Sequence, residues 1–188
     1  MNKILDWRDY VKFSDTFVET GSCWGRTIQY ALDAGFKRIK SVEFYDSCYD
    51  SCRAKFSGND SVELFKGMSV DVLPEMLKDV DKPAVFWLDA HPSGEGTGGY
   101  DELVKEGRSS EFAQHNILCR ELEIIFGHRD DHIILIDDMN WEHREKEYED
   151  IILAKNIDYE FFMINEQFTP EIFFENKILV AIPKKWMQ

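Results

Sequence analysis

Long apolar runs are missing from this chain of 188 residues. No stretch approaches the ~18 uninterrupted apolar residues of a membrane-spanning helix. The opening MNKILDWRDYVKF carries charges throughout, so neither a spanning helix nor a secretory signal is expected. Basic residues are also scarce: 22 Lys and Arg stand against 36 Asp and Glu, a formal net charge of −14. The densest basic groups are Lys37, Arg38 and Lys40, and the pair Lys184 and Lys185. Such a surface repels a phosphate backbone and an anionic bilayer, so no nucleic acid and no membrane is expected as a partner. The four cysteines, Cys23, Cys48, Cys52 and Cys119, are too few and scattered for a disulfide scaffold. Reduced thiols in a cytoplasmic compartment are the simpler expectation. Cys48 and Cys52 would share one face of a helix, but no second pair at zinc-site spacing accompanies them. Internal repeats and low-complexity tracts are absent as well.

What is present is a composition 44% hydrophobic and 31% charged, that of one globular domain over 1–188. A chain of this length hides roughly 70% of its unfolded surface and needs no staples. Strand-like runs fall at 16–19, 38–43, 62–66, 84–89, 132–137, 159–164 and 172–182. Helical windows lie at 25–34, 46–56, 70–79, 111–126 and 144–155, and an N-terminal helical segment is expected over 1–14. The runs AVFWLD and HIILID are nearly continuously apolar, which suits central parallel strands covered on both faces. Alternation at this spacing means βαβ units: an α/β, doubly wound sheet with helices on both faces. The last two strands have no helix between them and should close the sheet as an antiparallel hairpin. The glycine-rich segment 91–110, HPSGEGTGGYDELVKEGRSS, is long for a connection and starts at the end of a buried strand, so a lid or substrate loop is expected there.

In open sheets of this kind ligands sit beyond the carboxyl ends of the strands, near the point where strand order reverses. The first strand ends in Glu19-Thr20-Gly21-Ser22-Cys23-Trp24-Gly25. Gly21 permits a tight turn and close approach of a ligand to the backbone, and Gly25 lets the next helix pack near the sheet. The second strand ends in Glu43, a carboxylate able to accept both hydroxyls of a ribose; capping a helix that begins near Ser47 is the alternative. The third ends at Gly67-Met68-Ser69. Three successive strand ends thus carry the groups a nucleoside needs.

The strings FVETGSCWGRTIQYALDAGF, SVEF, FKGMSVDVLPEML and FWLDAH resemble the successive motifs of class I S-adenosylmethionine-dependent methyltransferases, over residues 15–182. The resemblance implies a Rossmann-like seven-stranded sheet whose last strand is antiparallel, and S-adenosylmethionine as cofactor. It implies that Glu19, Thr20, Gly21, Ser22 and Gly25 surround the methionine part, with Asp89 beside them. Glu43 would take the ribose, and Met68 and Ser69 would flank the adenine. Cys23 departs from the pattern where many members have the middle glycine. Met68 departs from it where an acid commonly meets the adenine amino group.

The fourth strand ends in Leu88-Asp89-Ala90-His91 and the fifth in Ile136-Asp137-Asp138. Three carboxylates and an imidazole should converge there, which is costly unless a cation or protons neutralise them. Oxygen ligands point to a hard cation, Mg²⁺ by default, with Ca²⁺ or Mn²⁺ as alternatives. Neighbouring side chains on a strand face opposite ways, so both aspartates bind one ion only if the chain turns at Asp137; otherwise one of them caps the next helix. The arrangement is similar to the metal-dependent small-molecule O-methyltransferases, including those that methylate sugar hydroxyls. It also resembles a group of short methyltransferase-like proteins of bacteria and large DNA viruses. That resemblance implies Asp89, Asp137 and Asp138 as metal ligands and His91 as the catalytic base, although a carboxylate often stands in the place of His91.

The expected activity is therefore methyl transfer to a hydroxyl of a sugar, glycan or other small polyol. Two readings compete with it. One is a Mg²⁺-dependent hydrolase or lyase acting on a phosphorylated sugar, against which stands the lack of a Gly-x-x-x-x-Gly-Lys loop. The other is a non-catalytic module that binds a nucleoside or glycan. His115, His128, His132 and His143 read as surface or helix-end residues, and Trp24, Tyr100 and Trp141 as aromatics able to stack on a sugar. A homodimer is conceivable if Trp7, Phe162, Phe173 and Phe174 leave apolar surface.

Overall fold

Each apolar run of the sequence becomes a strand. The computed structural model describes residues 4–91, 114–142, 144–155, 158–169 and 172–187. In chain order the elements are α1 (Arg8–Val11), β1 (Thr16–Thr20), α2 (Arg26–Ala34), β2 (Arg38–Glu43), α3 (Asp46–Lys55), β3 (Val62–Lys66) and α4 (Ser69–Met76). There follow β4 (Val85–Leu88), α5 (Gln114–His128), β5 (Ile133–Ile136), α6 (Met139–Glu142), α7 (Glu145–Lys155), β6 (Tyr159–Thr169) and β7 (Ile172–Pro183). The seven strands form one sheet in the order β3-β2-β1-β4-β5-β7-β6. Strands β1 to β5 pair in parallel, while β7 is antiparallel to both β5 and β6. The α/β, Rossmann-like sheet with a C-terminal hairpin is the architecture expected.

Strand alternation sorts the core into two layers. Val18, Phe86, Leu88, Ile134 and Ile136 pack with Leu73, Met76, Leu118, Leu122, Ile125, Tyr148 and Ile152 from α4, α5 and α7. Phe17, Val85, Trp87, Ile133 and Leu135 face the other way, onto Trp7, Ile28, Ala31, Cys52 and Phe56. Strand order reverses between β1 and β4, so the ends of those two strands flank the crevice where ligands bind in such sheets.

Several expectations need correcting. Among the described residues 4–14 the helical part is the single turn of α1, and Leu5 donates its N–H to the Asn165 carbonyl at 2.8 Å beside β6. Trp7 is buried edge-on against Phe17 and Trp87, which removes it from the apolar surface invoked for a dimer. β6 runs five residues beyond 164, because its polar Asn165, Glu166 and Gln167 pair across to Lys177, Asn176 and Glu175. The basic residues of β2 are not a patch: Lys40 is buried, 2.8 Å from both Glu63 and Asp79, and Arg38 also pairs with Asp79. His132 is buried at the start of β5, whereas His128 ends α5 on the surface. The expected lid beyond 91, with Tyr100, lies outside the described residues, as do His143 and the side chains of His115, Trp141, Phe173 and Phe174.

Candidate active site

The ends of β1, β2, β3, β4 and β5 open into one cavity of about 470 Å³, lined among others by Gly21, Ser22, Glu43, Met68, Ser69, Asp89, His91, Asp137 and Asp138. Of the expected site residues, Glu19, Thr20 and Gly25 are not in that lining. Glu19 and Thr20 are buried at the end of β1.

Gly21 adopts φ +87°, and a Cβ there would lie 2.3 Å from the Asp89 carbonyl oxygen. Its lack of a side chain therefore serves the approach of β1 to the end of β4. Gly25, at φ +68°, would place a Cβ 2.6 Å from the Phe56 ring; the close contact is with the end of α3, not with the sheet. Between the two, Cys23 holds a left-handed φ of +46°. Its N–H donates to Glu43 Oε2 at 2.7 Å, and Tyr45 N–H donates to Glu43 Oε1 at 2.8 Å. Two backbone donors thus fix Glu43 at the end of β2 and leave lone pairs on both oxygens for further donors. Burial raises its carboxyl above the usual range, opposed by those N–H groups. Below it, Ser41 donates to Glu19 Oε2 at 2.5 Å. Having spent its one proton, Ser41 must accept from Ser22 at 2.5 Å. Burial, opposed by Ser41 and reinforced by Asp89 and Glu43, pushes the Glu19 carboxyl up to about 8. On the far side Phe44, Tyr45, Met68, Val70, Ala90 and Ile117 form an apolar slot.

The fourth and fifth strand ends do meet, but not as expected. His91 Nε2 lies 3.2 Å from Asp89 Oδ1 and 3.2 Å from Asp138 Oδ2. It is aligned with neither, so this buried nitrogen makes no hydrogen bond among the described residues. The donor atoms of Asp89, His91 and Asp138 all lie within 4.8 Å of one another. The chain turns at Asp138, whose φ is +56°, rather than at Asp137. Asp137 is 4% exposed and accepts from Asn176 Nδ2 at 2.5 Å. The trio brought together thus contains His91, the expected base, and omits Asp137, an expected ligand. Burial disfavours a charged imidazole, but the charges and close contacts of Asp138 and Asp89 outweigh it and push His91 up to about 10. Burial raises the Asp89 carboxyl, with His91 opposing.

Sequence reasoning missed three groups. Glu121 of α5 is fully buried and both its oxygens lack a hydrogen-bond partner among the described residues. Burial, opposed by the nearby Ser69 and Thr20 hydroxyls, pushes it up to about 7. It stands one helical turn beyond Ile117 of the slot, inside a stretch, RELE, that reads as helix surface. Arg26, the first residue of α2, lines the cavity and lowers the Asp89 carboxyl by its charge. Asn176 of β7 lies in a polar stretch that gives no sign of burial.

The donor set fits a divalent cation. Cis donors about 2.1 Å from an octahedral ion are about 3 Å apart, close to the two contacts of His91 Nε2. The cavity also carries groups suited to an adenosyl sulfonium: apolar lining from Phe44, Tyr45, Met68 and Ile117, a carboxylate with lone pairs for a diol, and Asp89 for positive charge.

No family model matches the sequence, and no curated protein matches it. Solved structures match the fold. A provisionally assigned caffeoyl-CoA O-methyltransferase from Staphylococcus aureus has a TM-score of 0.59 at 9% identity, covering 97% of this chain and 86% of that one. The fibrillarin pre-rRNA processing protein of Methanococcus jannaschii gives 0.58 at 12% identity, over 98% and 71%. The SAH-bound methyltransferase PaMTH1 of Podospora anserina gives 0.54 at 13%, over 94% and 74%. At such identities the likeness shows the fold alone, which this chain shares with these proteins.

Proposed function

We propose that the protein is an S-adenosylmethionine-dependent O-methyltransferase that acts on a hydroxyl of a sugar, glycan or comparable polyol, aided by a divalent cation at Asp89, His91 and Asp138. The carrying observation is the placement of that trio against the cavity in which Glu43 and the apolar slot would hold the nucleoside. The cofactor supplies a methyl group on a positively charged sulfur. Glu43 would accept the ribose hydroxyls, Phe44, Tyr45, Met68 and Ile117 would enclose the adenine, and Asp89 would favour the positive charge. A cation bound by the trio would stabilise the acceptor oxygen as its proton passes to a carboxylate oxygen of Asp89 or Asp138 that does not hold the ion, or to solvent.

His91 takes a different role from the one expected. Between two carboxylates its proton is favoured, which opposes work as a base; as a donor to a cation its ring must give up that proton. An imidazole beside two carboxylates also shifts preference from Mg²⁺ towards Mn²⁺. The fold neighbours include a protein named for pre-rRNA processing, but the net charge of −14 favours a small neutral acceptor over a polyanion.

Calorimetry with S-adenosylmethionine, followed by an acceptor screen that reads S-adenosylhomocysteine release, tests the reading. Micromolar binding is expected, with turnover on polyols that Mn²⁺ supports and a chelator stops. Asp138→Ala should lose at least about 100-fold in turnover while keeping cofactor affinity. Absence of cofactor binding would sink the methyltransferase reading; full turnover of Asp138→Ala in chelator would sink the cation.

A further inference from the structure

The turn after β5 poses a physical question. Adjacent side chains on a strand face opposite ways, and Asp137 and Asp138 do diverge. Asp138 meets His91 with its backbone at φ +56°, a conformation that costs most side chains with a Cβ and that aspartate adopts at a smaller cost. Something must hold the chain there.

The long hairpin supplies the hold. Ile136, the last residue of β5, pairs with Leu179 of β7, yet β7 begins at Ile172, so the hairpin continues past the carboxyl end of β5 on the side of the cavity. Two consecutive residues of this extension grip the turn from either side of Asp138. Asn176 Nδ2 donates to Asp137 Oδ1 at 2.5 Å, and Lys177 N–H donates to Asn140 Oδ1 at 2.8 Å. Asp137 N–H in turn donates to the Leu88 carbonyl at 3.1 Å, next to Asp89. Asn176 is 1% exposed and Asp137 4%. A buried amide costs stability unless it is paired, and here its partner is a carboxylate.

We propose that Asn176 and Asp137 form a buried positioning pair that aims Asp138 at Asp89 and His91, so that Asp137 supports the cation site without being one of its donors. This rests on the cation reading above. It assigns the two neighbouring aspartates different work: Asp138 meets the ion, and Asp137 meets the hairpin. Asn176 Oδ1 has no partner among the described residues, so an amide at position 137 could pair with Asn176 in both directions.

The test titrates Mn²⁺ into the full chain, following free Mn²⁺ by electron paramagnetic resonance, with S-adenosylhomocysteine calorimetry alongside. Asn176→Leu keeps the branched four-heavy-atom shape, in a somewhat larger side chain, and removes the donor. It should weaken Mn²⁺ binding at least about 10-fold, the scale at which groups behind a metal ligand act, with the nucleoside affinity unchanged. Asp137→Asn should bind Mn²⁺ within a few-fold of the parent, whereas Asp138→Ala should lose it. Parent-like binding by Asn176→Leu, or a loss in Asp137→Asn as large as that in Asp138→Ala, overturns the pair and leaves the cation reading standing. Failure of the parent chain to bind millimolar Mn²⁺ overturns both. If Asn176→Leu also loses nucleoside binding, the comparison of Asp137→Asn with Asp138→Ala decides alone.

Discussion

The two ends of this one sheet treat buried polar groups in opposite ways. At the amino end, His132 Nδ1 accepts the Ala84 N–H at 3.0 Å. Its Nε2 must then carry the proton and donate to His128 Nδ1 at 3.1 Å. Tyr159 closes the group by donating to the His132 carbonyl at 2.5 Å. At the carboxyl end, Glu19 Oε1, Thr20 Oγ1 and both Glu121 oxygens are buried without a well-aligned hydrogen bond among the described residues, and His91 Nε2 has only its two carboxylate contacts at 3.2 Å. The only described non-glycine residues with positive φ, Cys23 and Asp138, stand there too. Unpaired buried groups and left-handed residues each cost stability. Among the described imidazole and carboxyl groups, a paired set stands at the amino end and the open ones at the carboxyl end, where a ligand can offset the cost. Tyr10 Oη, Trp87 Nε1 and Trp186 Nε1 are further buried atoms without a hydrogen bond among the described residues and lie outside the cavity.

The largest expected effect on stability comes from breaking the satisfied end. His132→Leu leaves the Ala84 N–H buried without an acceptor and should cost about 2–3 kcal/mol. For a chain of this size that lowers the melting temperature by roughly 4–12 °C. S-adenosylhomocysteine affinity should stay within about twofold, since the site lies at the other end of β4 and β5. Calorimetry of both quantities checks the pair; a variant that lost the nucleoside and kept its stability would reverse the roles given to the two ends.

Acid and alkali should separate the ends next, with a smaller effect. Burial and the charge of His128 depress His132 to about 3. Between its ordinary value near 6.5 and about 3 the unfolded chain binds the extra proton, so stability is lost as pH falls through that window. Glu121 and Glu19 are shifted upward, to about 7 and about 8. From about 4.5 upward the folded chain holds their protons, so stability falls as pH rises towards those values. Urea midpoints against pH should flatten on the acid side in His132→Asn and on the alkaline side in Glu121→Gln. An unchanged alkaline limb in Glu121→Gln would mean that its carboxylate is satisfied after all.

The sequence shows the two ends unequally. Strand–helix order, the central pair β4 and β5 and the terminal hairpin are legible because apolar runs and the missing last helix leave few topologies. Glu43 and the residues around Gly21 are legible because they sit at strand ends. The division of labour between Asp137 and Asp138 is not, because aspartate tolerates the left-handed region and the partner, Asn176, lies 39 positions away. His132 looks like a surface residue beside Asp130 and Asp131, and Glu121 like a helix-surface acid beside Arg120 and Glu123. Local pattern reports polarity, whereas burial is decided by what packs on top.

The smallest effect tests whether the strain at the open end serves a side chain. Cys23 and Asp138 share a left-handed backbone, at φ +46° and +56°. At this turn the Cys23 backbone donates its N–H to Glu43 and accepts Cys52 Sγ at 3.2 Å on its carbonyl, while its thiol lies beside Cys48 and the Trp24 backbone at the cavity. Cys23→Gly keeps both backbone bonds and removes the Cβ clash, worth about 1–2 kcal/mol, against about 0.5–1 kcal/mol of added freedom in the unfolded chain. A net gain of about 0.5 kcal/mol with unchanged nucleoside and Mn²⁺ binding is expected. Asp138→Gly relieves the same backbone strain but should abolish Mn²⁺ binding, because there the strain exists to aim a carboxylate. If Cys23→Gly weakened nucleoside binding tenfold, the Cys23 side chain would contact the nucleoside and not merely border the cavity, and both left-handed residues would be held in place for their side chains.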